Sequence, residues 1–158
     1  MPSSTALPPP SATPAAAGPL GIRAVTASTV YTVGTNFTIN FWLDNPASAP
    51  GGGVRMAEFD CAFTPDGPAA GQSLTTGTVF APGSSVNQNN FNYPDYFYYA
   101  ITQASGVPPV SVGGIVVTVN ARAAAAGSVT LNCDLYITSA NGSYTAVSYT
   151  PLTITVQG

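Results

Sequence analysis

The sequence predicts an all-β protein, a nine-stranded β-sandwich that follows an extended proline-rich segment. Three observations predict this fold class. Apolar and polar residues alternate with a period of two along most of residues 21–158, turn residues separate the alternating runs, and no stretch shows helical periodicity. Nine short strands in one domain are typical of two packed sheets. We therefore divide the chain into an arm at residues 1–20 and a sandwich domain at residues 21–158.

The arm is predicted to be extended. It contains six Pro, five Ala and five Ser or Thr, and it has little to bury. Eighteen residues of polyproline II would span about 55 Å, at about 3.1 Å each. A compact domain of about 140 residues, the length of residues 21–158, is only about 37 Å across. The arm could therefore leave its own domain and lie on a neighbouring molecule, or it could be a plain linker.

Nine alternating runs are predicted as strands. They cover residues 22–32, 36–44, 55–64, 76–81, 90–93, 96–103, 114–122, 128–138 and 151–157. Three runs show which side chains point inward. In the second run these are Phe37, Ile39, Phe41 and Leu43. In the third they are Ala57, Phe59, Cys61 and Phe63, and in the eighth they are Val129, Leu131, Cys133, Leu135 and Ile137. Pro-Gly and Asn-Gly pairs at 50–51, 82–83 and 141–142 mark turns.

Charge is scarce in this chain. Three Arg and six acids give a net charge of -3, and there is no His and no Lys. This composition excludes an imidazole base, a Schiff-base or P-loop lysine, a histidine metal site and a basic nucleic-acid surface. No run of 18 apolar residues occurs, so no membrane span is expected. A surface with so few charges also has little protection from self-association.

The two cysteines fall on inward faces of different predicted strands. They are either separate small apolar residues or one disulfide, and two soft ligands are too few for a zinc site. We favour a Cys61–Cys133 disulfide because a Lys-free chain rich in Thr and Asn indicates an extracellular or cell-surface location, where disulfides persist. Closing a loop of about 70 residues would stabilise the domain by about 4 kcal/mol.

Large aromatic residues supply the main candidate surface. Trp42, Tyr96 and Tyr98 are predicted to point outward, with Tyr93 nearby, where they would form a covered surface or a ligand platform. Such a row could stack on sugar rings, or it could accept a proline-rich segment, since proline rings pack on aromatic grooves. The candidate segment is in the arm, at Pro8, Pro9, Pro10 and Pro14.

Polar residues give weaker signals. Glu58 and Asp60 share one face of a strand, and paired acids can catalyse glycoside hydrolysis when they lie in a cleft. Acids on an open sheet are usually solvated instead. We therefore predict no enzymatic activity and no cofactor. Calcium is the only metal considered, on acids and amides that lack the spacing of a defined loop: Asp44, Asn45, Asp66, Asp95 and Asn141. Asn36 and Asn141 each begin a glycosylation sequon.

The order of segments over residues 21–158 resembles that of cohesin domains. The similar segments are YTVGTNFTINFWLDNP, for the second strand; RMAEFDCAFTPDGPAAGQSLTTGTVFAPG, for the third and fourth; FNYPDYFYYAITQAS, for the fifth and sixth; GGIVVTVNARAAAAGSVTLNCDLYITSANG, for the seventh and eighth; and YTPLTITVQG, for the last. The resemblance implies a jelly-roll-like sandwich whose third and eighth strands are adjacent. That adjacency would place Cys61 beside Cys133.

Cohesins bind calcium-loaded dockerins through the sheet that contains strands three, five, six and eight. The resemblance implies that the corresponding face of this chain presents Glu58, Asp60, Tyr96, Tyr98, Asn132, Asp134 and Tyr136. The proline-rich arm and the disulfide depart from the cohesin pattern.

Two functions follow from these observations. The first is an extracellular, non-enzymatic structural subunit in which the arm of one copy docks on the sandwich of the next, because a repeated head-to-tail contact builds a filament. The alternative is a carbohydrate-binding or cohesin-type recognition module whose arm is an interdomain linker. The expected partners are accordingly other copies of the chain, or a polysaccharide or dockerin-like protein.

Overall fold

The computed structural model describes residues 18–158, and strands make up most of this range. The eleven strands are β1 (Gly21–Thr26), β2 (Val30–Thr32), β3 (Asn36–Asp44), β4 (Val54–Thr64), β5 (Ala69–Thr76), β6 (Ser85–Gln88), β7 (Tyr96–Thr102), β8 (Gly114–Ala123), β9 (Gly127–Ser139), β10 (Tyr144–Ala146) and β11 (Leu152–Gln157). One turn of 3-10 helix at Pro46–Ser48 is the only helix in this range. No helix of the described residues is long and apolar enough to cross a membrane.

The strands form two sheets. The smaller sheet has the order β1-β3-β8-β5, and the larger has the order β2-β11-β9-β4-β7-β6, with β10 paired to β9 at one end. Every pair is antiparallel except β2 with β11. The predicted adjacency of the third and eighth runs is confirmed, because these runs are β4 and β9. The predicted all-β sandwich is confirmed as well.

The core lies between the two sheets and is built from period-two strands. The inward residues predicted for β3 and β4 are all buried. Phe41 of the smaller sheet meets Phe59 of the larger sheet edge to face, with ring centroids 5.2 Å apart. Tyr99 is also buried, and its hydroxyl donates to Thr76 Oγ1 at 3.0 Å. Alternation therefore holds wherever a strand has one face on the core and one in solvent.

One predicted strand is divided in two. Residues 22–32 give β1 in the smaller sheet and β2 in the larger sheet, because the chain bends at residues 27–29 and changes sheets. Ser28 supports the bend, since its hydroxyl donates to the Val30 carbonyl and accepts from the Val30 N–H. Period two cannot signal such a crossing, because alternation continues on both sides of it.

Two other predicted strands are wrong in position, and one strand was not predicted. The run at 76–81 is mostly loop, and β5 precedes it with small residues that give little apolar contrast. The run at 90–93 is a loop in which Asn90 and Phe91 adopt positive φ, and β6 lies before it. The unpredicted β10 and the divided first run bring the count from nine to eleven.

Candidate functional site

Three rows of side chains cross the outer face of the larger sheet. Reading from β9 through β4 to β7, the rows are Asn132–Ala62–Tyr96, Asp134–Asp60–Tyr98 and Tyr136–Glu58–Ala100. Residues directly opposite each other in an antiparallel sheet point to the same side. The seven polar and aromatic residues implied by the cohesin resemblance therefore share one surface. We call this surface, made of Glu58, Asp60, Tyr96, Tyr98, Asn132, Asp134 and Tyr136, the tyrosine–acid face.

Tyr93 extends this face at one end. It forms an antiparallel bridge with Tyr96, whose N–H donates to the Tyr93 carbonyl at 3.2 Å, and its side chain is 67% exposed. The preceding loop is held in place, because the Asn90 side-chain oxygen accepts from the Leu74 N–H at 3.1 Å. The Phe91 ring lies so close to Gly71 that no Cβ would fit there. The loop thus holds an exposed aromatic residue on a fixed support.

The acids of this face lack compensating charge. Asp60 and Asp134 stand directly opposite each other on neighbouring strands, an arrangement that destabilises a sheet. None of the three arginines belongs to the three rows, and the only ion pair among residues 18–158 joins Arg23 to Asp44 on the smaller sheet. The tyrosine–acid face is therefore a region of negative potential.

Tyr144 of β10 covers one end of the face. Its hydroxyl donates to Glu58 Oε2 at 3.0 Å, and its ring stacks on Tyr136 with centroids 5.0 Å apart and planes 6° from parallel. Partial burial and the Glu58 carboxylate raise the pKa of Tyr144 to about 12. Sequence reasoning missed this residue, although an Asn-Gly turn followed by Tyr144-Thr145-Ala146 is a hairpin signal.

Two further tyrosines of the face are held protonated. Burial raises the pKa of both Tyr96 and Tyr98, and a neighbouring carboxylate raises it further, Asp60 beside Tyr96 and Glu58 beside Tyr98. A protonated phenol both donates and accepts hydrogen bonds. At neutral pH the face therefore combines carboxylate acceptors with hydroxyl donors on flat aromatic rings.

The disulfide lies within the same strand pair. Cys61 and Cys133 are directly opposite each other on β4 and β9, are bonded to each other, and have Cα atoms 4.1 Å apart. The predicted pairing is confirmed. Cys61 is buried, whereas Cys133 is half-buried and lines a depression of about 420 Å³ together with Asp60 and Asp134. The covalent link thus fixes the register on which the middle row of the face depends.

Trp42 does not belong to this surface. It lies on β3, and its side chain is on the outer face of the smaller sheet, the opposite side of the sandwich. Arg23 stacks over its ring at 5.2 Å and pairs with Asp44 at 2.7 Å. The prediction of one aromatic surface is therefore wrong for Trp42, because β3 and β7 belong to different sheets and alternation does not indicate the sheet that a strand joins.

The remaining predicted residues are dispersed. Asn36 is exposed at the start of β3, and Asn141 is exposed in a turn, where its side-chain oxygen accepts from Ser143. Both stay predicted glycosylation sites. The arm residues Pro8, Pro9, Pro10 and Pro14 lie outside the described residues.

A metal centre has no candidate among residues 18–158. No group of three or more His, Cys, Asp or Glu in this range is placed to hold an ion. Of the residues named for calcium, Asp44 is engaged with Arg23, Asp66 lies in the loop after β4, and Asp95 directly precedes β7. Calcium binding by this chain stays a prediction without a site in the described range.

Known proteins resemble this chain in structure rather than in sequence. No protein-family model matches it, and no curated protein matches it. A non-cellulosomal cohesin from the hyperthermophilic archaeon Archaeoglobus fulgidus has 13% identity and a TM-score of 0.66, over 87% of this chain and 92% of that one. A type II cohesin domain from the cellulosome of Acetivibrio cellulolyticus has 13% identity and a TM-score of 0.69, over 85% and 94%. A chain of a type I cohesin–dockerin complex from Clostridium thermocellum has 10% identity and a TM-score of 0.67, over 87% and 99%.

The chain therefore has a cohesin-like β-sandwich fold. Identities of 10–13% for these structures show the fold alone.

Proposed function

We propose that this chain is an extracellular, non-enzymatic protein-recognition module that binds a dockerin-like partner through the tyrosine–acid face. One observation carries the proposal: seven polar and aromatic residues share one outer face of a cohesin-like sheet. Fold likeness alone would not support a function, so the proposal depends on the chemistry of these residues.

The chemistry of the face suits a protein partner. Tyrosine rings supply large contact area with little loss of side-chain entropy, and their hydroxyls satisfy polar groups of a partner. Glu58, Asp60 and Asp134 would accept hydrogen bonds from its donors and would disfavour acidic surfaces. Tyr93 adds an exposed aromatic anchor at the rim.

An extracellular location belongs to the same proposal. The disulfide supports it, because such bonds persist in oxidising compartments and are rare in the cytosol. A chain with only nine charged residues would also depend on partners or glycans to cover its surface.

Binding to a panel of calcium-loaded type I and type II dockerin modules tests the proposal by titration calorimetry. We expect at least one module to bind, and Tyr98→Ala to weaken that binding while Trp42→Ala leaves it unchanged. The two variants remove an aromatic ring from opposite faces of one sandwich, so each controls for the other.

The carbohydrate alternative predicts the reverse pattern. Affinity electrophoresis in polysaccharide gels would then show retardation that depends on Trp42, and no dockerin would bind. That result would overturn the proposal. The geometry gives the alternative less support, because the single tryptophan of the chain lies away from the tyrosines and is already stacked by Arg23.

A further inference from the structure

A groove runs along one side of the sandwich, between an edge strand of the smaller sheet and the segment that leads into the larger sheet. One wall is β1, at residues 22–24, and the other is the extended segment at residues 148–152 that leads into β11. The groove has a volume of about 320 Å³. We call it the seam groove. Its 148–152 wall adjoins the tyrosine–acid face, since Tyr149 and Pro151 also line the depression beside Asp60 and Asp134. Its β1 wall includes Arg23, which stacks over Trp42.

Both walls of the seam groove carry unpaired backbone. β1 is an edge strand, with β3 on one side and no described strand on the other. Ser148, Tyr149 and Thr150 belong to no described strand, and their N–H groups donate to no other backbone group in residues 18–158. Unpaired edges of this kind are templates for an added strand.

Tyr149 gives the groove a firm floor. Its hydroxyl donates to the Leu131 carbonyl at 3.1 Å, and its ring lies 6.1 Å from Phe41 in the core. Burial raises the pKa of Tyr149 to about 12, so the phenol stays protonated in this position. Ser148 and Thr150, on either side of it, are exposed. A strand added here would contact Ser148 and Thr150 on one wall and Ile22 and Arg23 on the other.

We propose that the seam groove accepts residues 3–7 from the arm of a second copy, added as a short strand against β1. These residues, Ser-Ser-Thr-Ala-Leu, form the longest proline-free run in residues 1–17. Proline cannot donate to a strand ladder, so this run is the best candidate for pairing. Its five residues match the five of the 148–152 wall, and it carries no charge that burial would penalise.

The length and stiffness of the arm favour a neighbour over self-docking. The arm joins the domain at Gly18 and Pro19, whose carbonyls accept from Ser48 and Asn45. Gly18 is only three residues from the start of β1, which is about 10 Å of chain. Residues 8–17 contain four prolines and would extend about 31 Å as polyproline II. A proline-rich spacer of that length would have to reverse direction for residues 3–7 to reach β1 of the same copy, whereas β1 of a second copy needs no such reversal.

Complementary variants of the full chain test this contact. The arm variant is Thr5→Pro with Leu7→Pro, because proline cannot donate to a strand ladder and adds no charge that Arg23 of the β1 wall would attract. The groove variant is Ser148→Glu with Thr150→Glu, which adds two larger, charged side chains to the other wall. Ser105→Glu with Ser128→Glu, at two exposed positions outside the groove, is the charge-matched control. Analytical ultracentrifugation over a concentration series gives the mass of each sample.

The wild type and the control are expected to form species larger than the 15.9 kDa chain, with a mass that rises with concentration. Each variant alone should be a monomer. Their equimolar mixture should stop at two copies, because only one intact arm and one intact groove remain.

Three results would overturn the proposal. They are a wild type that stays monomeric at every concentration, variants that assemble like the wild type, and a mixture that stays monomeric. Circular dichroism of the arm variant and the wild type checks that both sandwiches are folded. Dockerin binding is measured separately with the arm variant, which leaves residues 18–158 unchanged, so either result can fail without the other.

Discussion

The two outer faces of this sandwich differ in how their charged groups are balanced. On the smaller sheet the groups satisfy one another: Thr118 donates to Asn40 at 2.7 Å, Asn120 donates to Ser73 at 3.0 Å, and Arg23 pairs with Asp44. On the larger sheet Tyr144 donates to Glu58, but Asp60 faces Asp134 with no cation in the three rows. A face whose charges repel one another is a poor arrangement for stability and a suitable one for binding. The unbalanced acids of the larger sheet therefore make its outer face the one to test for a partner.

The largest expected effect comes from removing the link beneath the tyrosine–acid face. Replacing both cysteines by alanine should lower the free energy of unfolding by about 4 kcal/mol, because the disulfide closes a long loop. Urea denaturation measures the change. A loss below about 1 kcal/mol would mean that the β4–β9 ladder holds its register without the bond.

Aromatic truncation should separate the faces by binding. Tyr98→Ala is expected to weaken a bound dockerin by at least tenfold, since a central buried tyrosine typically contributes more than about 1.4 kcal/mol. Trp42→Ala should leave affinity within twofold. Titration calorimetry measures the dockerin affinity of both variants, and circular dichroism checks that they are folded. Equal losses in the two variants would contradict the assignment of binding to one face.

Removing a carboxylate charge should stabilise the domain on the larger sheet and destabilise it on the smaller sheet. Asp134→Asn removes a like-charge contact and should stabilise the domain by about 0.2–1 kcal/mol. Asp44→Asn breaks an exposed ion pair and should destabilise it by about 0–1 kcal/mol. Thermal and urea unfolding of the two variants at low salt measure both changes. If Asp134→Asn instead lowers the free energy of unfolding, Asp60 and Asp134 do not repel each other in the folded domain.

The smallest effect concerns pH. The folded pKa of Tyr144 is about 12, above its usual value of 10, so the fold favours the protonated phenol. Its contribution to stability is therefore complete below pH 10 and is lost as pH rises to 12. Absorbance at 295 nm should show late-ionising phenols in the wild type and one fewer in Tyr144→Phe. Ionisation of Tyr144 near pH 10 would contradict its hydrogen bond to Glu58.

Strand identity was predictable where one face met the core and the other met solvent. β3, β4 and β9 were assigned with bounds within two residues, and their apolar positions are inward. β5 and β6 were not, because Ala-Ala-Gly and Ser-Val-Asn-Gln have too little apolar contrast to show a period. The Cys61–Cys133 disulfide is predictable from the inward position of both cysteines and from the extracellular composition, and the resemblance independently implies that their strands are adjacent.

The fold class, the inward faces of the long strands and the absence of Lys and His can be read from the sequence, because they depend on local alternation and on composition. Strand pairing in the folded chain places Trp42 and the tyrosine–acid face on opposite sides, brings Tyr144 over Glu58 and leaves an open groove beside β1. Alternation indicates whether a side chain points toward the core or away from it. It does not indicate which sheet the strand joins, because sheet membership depends on backbone pairing between residues far apart in the chain.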